Sequence, residues 1–206
     1  AAAFLNGDRP LCESNQLTWT PEFRDSVLLT NGCLKAAITA AVDHPSQVVM
    51  APVSGFHHAQ PGNGSGFCTL SGQVIAALHL YRSRGLRGVW VDLDGHFGNS
   101  IEDARAFAPD LNEAIPPWAN LNPRGNHQEY LLDLQGKLDE VLDHATRGEI
   151  DYIAFAHGAD SHEWDQLGSQ CTTAEWLRAS STVYEVIKRM NARHGSPRPV
   201  VVEIGR

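Results

Sequence analysis

Four short apolar runs, at residues 48–53, 88–92, 152–156 and 200–204, are separated by longer stretches with helical spacing. Runs this short, rich in β-branched and aromatic residues, read as buried strands. Strands alternating with helical segments leave few folds open. The pattern predicts a mostly parallel central sheet with helices on both faces, a three-layer α/β architecture. Right-handed crossovers would put the carboxyl ends of all four strands on one rim. The helical segments carry their own punctuation. Thr20-Pro21 opens a helix to about residue 42, broken or closely packed at Asn31-Gly32. A second spans about 70–84 and is closed by Gly85, and a third begins at Ser100. Asn126 to Glu129 reads as a capping box for a helix ending at Gly148, with Leu131, Leu134, Leu138, Val141 and Leu142 as its core face. Thr172 to Glu175 caps the last helix, which runs to about Arg193. Residues 1–19 read as irregular, and 109–126 as a loop. No repeat, linker or low-complexity tract divides the 206 residues, so one domain over 1–206 is expected.

The rim would gather four polar clusters. The first strand leads into a Gly-rich loop over 54–69 containing His57-His58. Adjacent histidines are usually unremarkable, one facing in and one out; their place behind a core strand is what singles them out. The second strand ends in Asp92-Leu93-Asp94-Gly95-His96. In an extended chain the three polar side chains point to one side. Two carboxylates and an imidazole there are costly to leave unpaired. A cation resolves that cost, and oxygen and nitrogen donors without thiolate suit zinc or another divalent transition metal. The plainer reading is a polar strand end in which Asp92 caps a turn. The third strand leads into 157–162 with Asp160, and the fourth into Arg206.

The net charge of −8 comes without any basic run. Nucleic acid is therefore not an expected partner, whereas a cationic substrate would be attracted. Cys12, Cys33, Cys68 and Cys171 are scattered with no C-x-x-C pair. They fit neither a zinc–thiolate knuckle nor a disulfide scaffold, and thiols in a reducing compartment are the simpler account. No segment is apolar enough to span a membrane and no signal peptide is visible, so a cytoplasmic, non-membrane protein is expected. The first residue is not Met, which leaves a trimmed start open, and the oligomeric state is open too.

In order along the chain, Gly55-Phe56-His57-His58-Ala59, Gly66-Phe67-Cys68, Asp92-Leu93-Asp94-Gly95-His96 and Gly158-Ala159-Asp160 resemble the zinc-dependent histone deacetylases and acetylpolyamine amidohydrolases. Asp165-Gln166-Leu167-Gly168 and the stretch from Gly125 to Tyr130 match the same family, and the resemblance runs from about Asn31 onward. It implies an arginase/deacetylase-like fold and a zinc ion held by Asp94, His96 and Asp160. It implies His57 and His58 as general base and acid, oriented by Asp92 and Asn99 respectively. The family often has Asp where Asn99 stands, so His58 should be less basic than with Asp there. Gly66 and Phe67 match the wall of a narrow acyl tunnel. Backbone carbonyls of the Asp92–His96 turn resemble the family's potassium site.

The implied activity is a zinc-dependent amidohydrolase that removes an acyl group, above all acetyl, from an acyl-lysine, an acylpolyamine or a small amide. The alternatives are an esterase on the same site and a metal-containing acyl-ligand binding module without turnover. The sequence also departs from the family. Phe97 stands where a second His commonly follows the ligand. Residues 203–206 read Glu-Ile-Gly-Arg where the family typically reads Glu-Gly-Gly-Tyr. Arg206 thus replaces the oxyanion-stabilising Tyr. It could donate to an oxyanion, grip a substrate carboxylate or lie in solvent. The chain is short for the family, and rim loops that select macromolecular substrates are expected to be largely missing.

Overall fold

A computed structural model describes residues 1–9, 11–194 and 200–203. In chain order it contains α1 (Ala2–Asn6), α2 (Pro21–Asp43), β1 (Val48–Ala51), α3 (Gly72–Arg84), β2 (Gly88–Asp92), α4 (Ser100–Ala104), α5 (Leu111–Ala114), β3 (Asn120–Leu121), α6 (Gln128–Thr146), β4 (Tyr152–Ala156), α7 (Thr173–His194) and β5 (Val200–Glu203). Single 3-10 turns lie at Leu11–Glu13 and Pro117–Ala119. The expected α/β class holds: the strands form a five-stranded, wholly parallel sheet in the order β1-β5-β4-β2-β3.

Register sets where the strand ends fall. Asp92 pairs with Ala156, Ala156 with Glu203, and Glu203 with Ala51. Four carboxyl ends therefore finish level on one rim. The chain runs outward from β1 to β2 and β3, then turns back to lay β4 and β5 between them. With right-handed crossovers, that reversal puts α3, α4 and α5 on one face and α6 and α7 on the other. The packing agrees: α3 packs on α2, α4 and α5, while α6 packs on α7. The loops leaving the neighbouring strands β2 and β4 thus part toward opposite faces. That is the crevice where open parallel sheets hold ligands.

β2 and β4 are buried along their whole length, as strands covered on both faces must be. The helices supply Leu34 and Ile38 from α2, Leu80 from α3, Leu134 and Leu138 from α6, and Val183 and Val186 from α7, all in one continuous core. Thr20 caps α2 as expected, its hydroxyl accepting the Phe23 N–H at 3.1 Å. α2 is unbroken at Asn31-Gly32. Asn31 instead donates from its side chain to the Val27 carbonyl at 2.8 Å, inside the helix.

Other expectations need correcting. β1 is an edge strand rather than a buried one, with Val48 62% and Met50 59% exposed. The stretch read as irregular contains α1, whose Phe4 is buried and whose Phe4 carbonyl accepts the Trp19 indole N–H at 2.7 Å. The stretch read as a loop holds α5 and β3. The capping box at Asn126–Glu129 does not form: His127 is the N-cap of α6 and makes no side-chain cap bond. A reciprocal box does form ahead of α7. Glu175 accepts the Thr172 N–H at 2.9 Å, and Thr172 Oγ1 accepts the Glu175 N–H at 3.4 Å. Among the described residues no helix is long and apolar enough to cross a membrane.

Candidate active site

β2 ends in a turn that folds back on itself. Asp92 Oδ1 accepts the Asp94 N–H at 3.1 Å, and Asp94 Oδ1 accepts the His96 N–H at 2.9 Å. Asp92 does cap a turn, then, but its other oxygen is committed elsewhere, as described below. Leu93, between the two acids, is buried and donates its N–H to the Ala156 carbonyl at 2.9 Å. Its own carbonyl accepts the Tyr130 and Ser161 hydroxyls at 3.1 and 2.8 Å. Burial drives the Tyr130 phenol well above its usual range, so that hydroxyl is a fixed donor.

The loop after β4 is pressed against this turn. A Cβ on Gly158 would stand 2.3 Å from Asp94 Cα, so only glycine permits the approach. Asp160 reaches across and accepts the Gly95 N–H at 2.7 Å. The outcome is a tight trio: one donor atom from each of Asp94, His96 and Asp160 lies within 4.8 Å of the others. His96 Nδ1 is 2.7 Å from Asp160 and 3.2 Å from Asp94. Burial, together with the Asp92 and Asp160 carboxylates, pushes the Asp94 carboxyl up to about 7, against the pull of His57. Burial alone would lower His96, but its bonds to Asp160 and Asp94 outweigh that and raise it. Two crowded carboxylates and an imidazole, without thiolate, fit a divalent cation of the zinc type. A double positive charge among them would favour the ionised Asp94 carboxylate against both its burial and the neighbouring carboxylates.

Beside the trio lie both adjacent histidines, their ring centroids 4.0 Å apart and tilted by 43°. They do not split into one inward and one outward ring; both line the same cavity. His57 Nδ1 bonds to Asp92 Oδ2 at 2.9 Å, while its Nε2 lies 3.7 Å from Asp94. His58 Nδ1 bonds to Asn99 Oδ1 at 2.9 Å. Burial, then the neighbouring charge of His57, holds His58 below the ordinary imidazole value, against the Asn99 bond. A Cβ on Gly66 would stand 2.6 Å from His58 Cδ2, so this glycine lets its loop close over the ring.

The cavity measures about 750 Å³ and is bordered by His57, His58, Gly66, Phe67, Asp92, Asp94, His96 and Asp160. Asn99 stands one bond behind it, on His58. Phe67 is 45% exposed and sits at φ 62°, in the left-handed region, its N–H donating to the Asn15 carbonyl at 3.1 Å. Phe97 is exposed, with the Arg124 guanidinium 5.8 Å from its ring centre. Arg206 falls outside the described residues. Sequence reasoning left other lining residues without a role: Phe23, Val27 and Thr30 from α2, and Asp165 and Leu167 from the loop after β4. Asp165 and Leu167 belong to a segment that matched the family. The α2 residues sit in a plain amphipathic helix and give no local signal.

The chain belongs to the histone deacetylase domain family, whose model matches residues 4–112, just over half of it. That match begins well ahead of Asn31, where the resemblance was expected to start. Among curated proteins the chain is similar to Histone deacetylase 14, chloroplastic, of Arabidopsis thaliana, at 27% identity over 178 residues, covering 75% of this chain and 42% of the relative. It is similar to Histone deacetylase 8 of Xenopus laevis at 36% over 75 residues, 35% of this chain and 23% of the relative. It is also similar to Acetoin utilization protein AcuC of Staphylococcus aureus at 40% over 48 residues, 23% of this chain and 12% of the relative. The chain thus spans less than half the length of these relatives.

Proposed function

We propose that this chain carries the catalytic centre of a zinc-dependent deacetylase, an amidohydrolase acting on an acylated amine such as acyl-lysine, an acylpolyamine or a small amide. One observation carries the reading: a metal-fitting trio and a pair of Nδ1-tethered imidazoles open into one cavity. Two of the similar proteins carry the name histone deacetylase, which supports a deacetylase.

In this reading Asp94, His96 and Asp160 hold the metal. When bound there, zinc supplies Lewis acidity, acidifying water and polarising the acyl carbonyl. The rest falls to the chain's own groups. The Asp92 carboxylate fixes the proton of His57 on Nδ1, and Asn99 Oδ1 does the same for His58. Each ring then presents Nε2 as its acid–base atom. One imidazole takes a proton from the attacking water. The other gives a proton to the departing amine nitrogen, and the C–N bond breaks to a carboxylate and an amine. Gly66 and Phe67 flank a slim aliphatic stem. A structural potassium ion on backbone carbonyls of the Asp92–His96 turn belongs to the same proposal. So does any role of Arg206 as oxyanion donor or carboxylate grip.

The test is turnover of a fluorogenic acetyl-lysine amide set beside an activated acetyl ester, with zinc content measured on the same sample. Amide turnover that chelation abolishes and zinc restores is expected. Ester turnover alone would make the site an esterase, and stoichiometric zinc without either turnover would make it a binding module.

A further inference from the structure

The polar chain behind His58 does not stop at Asn99. Asn99 Nδ2 donates to Asp103 Oδ2 at 2.5 Å. Asp103 lies one helical turn further along α4, and its N–H donates to the Asn99 carbonyl at 2.9 Å. The helix is held in place against the histidine loop: the Ser100 N–H donates to the His57 carbonyl at 2.8 Å, and the Ser100 and Ser71 hydroxyls meet at 3.0 Å. Asn99 and Asp103 are therefore fixed relative to His58.

The chemistry of the three groups decides their orientation. An Asn amide has an accepting end and a donating end, and either could face an imidazole. An ionised carboxylate only accepts. With Asp103 on one side, the NH₂ must face it and Oδ1 must face His58. An accepting oxygen at Nδ1 requires the proton there, which leaves Nε2 as the basic nitrogen. His57 gets the same instruction directly from Asp92. His58 gets it through an amide.

We infer that Asp103 is a positioning residue for the reaction: by orienting the Asn99 amide it sets the tautomer of His58. This rests on the deacetylase reading for its purpose, though not for its geometry. Without Asp103 the amide is released to rotate, present its NH₂ to Nδ1, and move the proton to Nε2, where the ring can no longer accept one.

The experiment reads the tautomer itself. Protein labelled with 15N-histidine, at a pH where both rings are neutral, gives the Nδ1 and Nε2 shifts of His58 with and without zinc. Wild type is expected to show the Nδ1–H form. Asp103→Ala is expected to shift the population toward Nε2–H. Asp103→Lys, which offers only donors, is expected to reverse it, and Asp103→Glu to restore the wild-type form. Asp103 is exposed, so these variants are expected to fold. On acetyl-lysine amide, Asp103→Ala should lower kcat by about tenfold or more with KM held. A folded Asp103→Ala or Asp103→Lys protein with the wild-type His58 tautomer overturns the assignment, whatever its activity. A tautomer shift in a protein that hydrolyses no amide upholds the assignment while removing the deacetylase reading.

Discussion

His57 and His58 lie with ring centroids 4.0 Å apart, yet the Nδ1 of one faces the carboxylate of Asp92 and that of the other the amide of Asn99. Two neighbouring imidazoles cannot both be strongly basic, since protonating one disfavours protonating the other. The two rings are also tethered differently, one by a carboxylate that only accepts and the other by an amide that can accept or donate. The pair is therefore asymmetric in its tethers, which suits the proposed division into acid and base.

That asymmetry should show in the two single variants. His58→Ala is expected to lower kcat on order of a hundredfold or more while zinc stays bound. His57→Ala should cost less if its main contribution is charge. Steady-state kinetics with elemental analysis reads both. Wild-type activity in the double variant would mean that neither ring moves a proton.

Each of the three proposed metal ligands should be needed. Asp94→Ala, His96→Ala and Asp160→Ala are each expected to reduce zinc occupancy strongly and to lower the holoprotein's melting temperature. A triple variant that retains stoichiometric zinc would place the metal elsewhere.

The close approach at Gly158 makes a further prediction. In Gly158→Ala the new methyl would meet the Asp94 backbone at 2.3 Å, and backbone cannot swing aside as a side-chain tip can. The loop after β4 must then back away, drawing Asp160 from its two partners. A stability loss of about 1–3 kcal/mol, typical of overpacking, is expected, with weakened zinc binding. Denaturant melts and a chelator competition would show it, and Gly158→Ala with wild-type affinity would rule it out.

Helix capping separates two look-alike motifs. Thr172→Ala removes a hydroxyl that accepts the Glu175 N–H and should cost about 1 kcal/mol. Asn126→Ala should change stability by less than about 0.5 kcal/mol, since α6 has no side-chain cap. Urea midpoints of the two variants give the comparison.

The pH dependence of stability has a source outside the Asp94, His96 and Asp160 trio. Burial holds His157 below the ordinary imidazole value in the folded protein. A group depressed in this way stabilises the fold fully above about pH 6.5, its unfolded value, and loses that contribution as pH falls below it. Wild type should therefore weaken between neutral and mildly acid pH more steeply than His157→Phe. Parallel slopes in the two proteins would count against this source.

The sheet and its loaded rim were legible because they follow from order alone. Parallel strands joined by right-handed crossovers must bring Asp94, His96 and Asp160 to one edge, however far apart they lie in sequence. The short elements were less legible. α5 and β3 are too brief for a period to declare itself. An apolar run such as Val48–Ala51 looks the same whether or not another strand covers its far side. The box at Asn126 failed because His127 takes a positive φ of 53° and bonds instead to Glu175, a partner 48 residues away that no local pattern encodes. Asp103 was missed for a similar reason: an exposed acid in a first helical turn looks like an ordinary charge at a helix start.

The seam between β2 and β4 also bears on folding. Asp94 and His96 leave the sheet before the whole α6 crossover, and Asp160 only after it. The three donors cannot meet until β4 has docked beside β2, so tight metal capture has to wait for that long-range contact. A cation seated there would act as a rivet across the join, tying the loop after β2 to the loop after β4. Its uptake during refolding would serve as a clock for completion of the sheet.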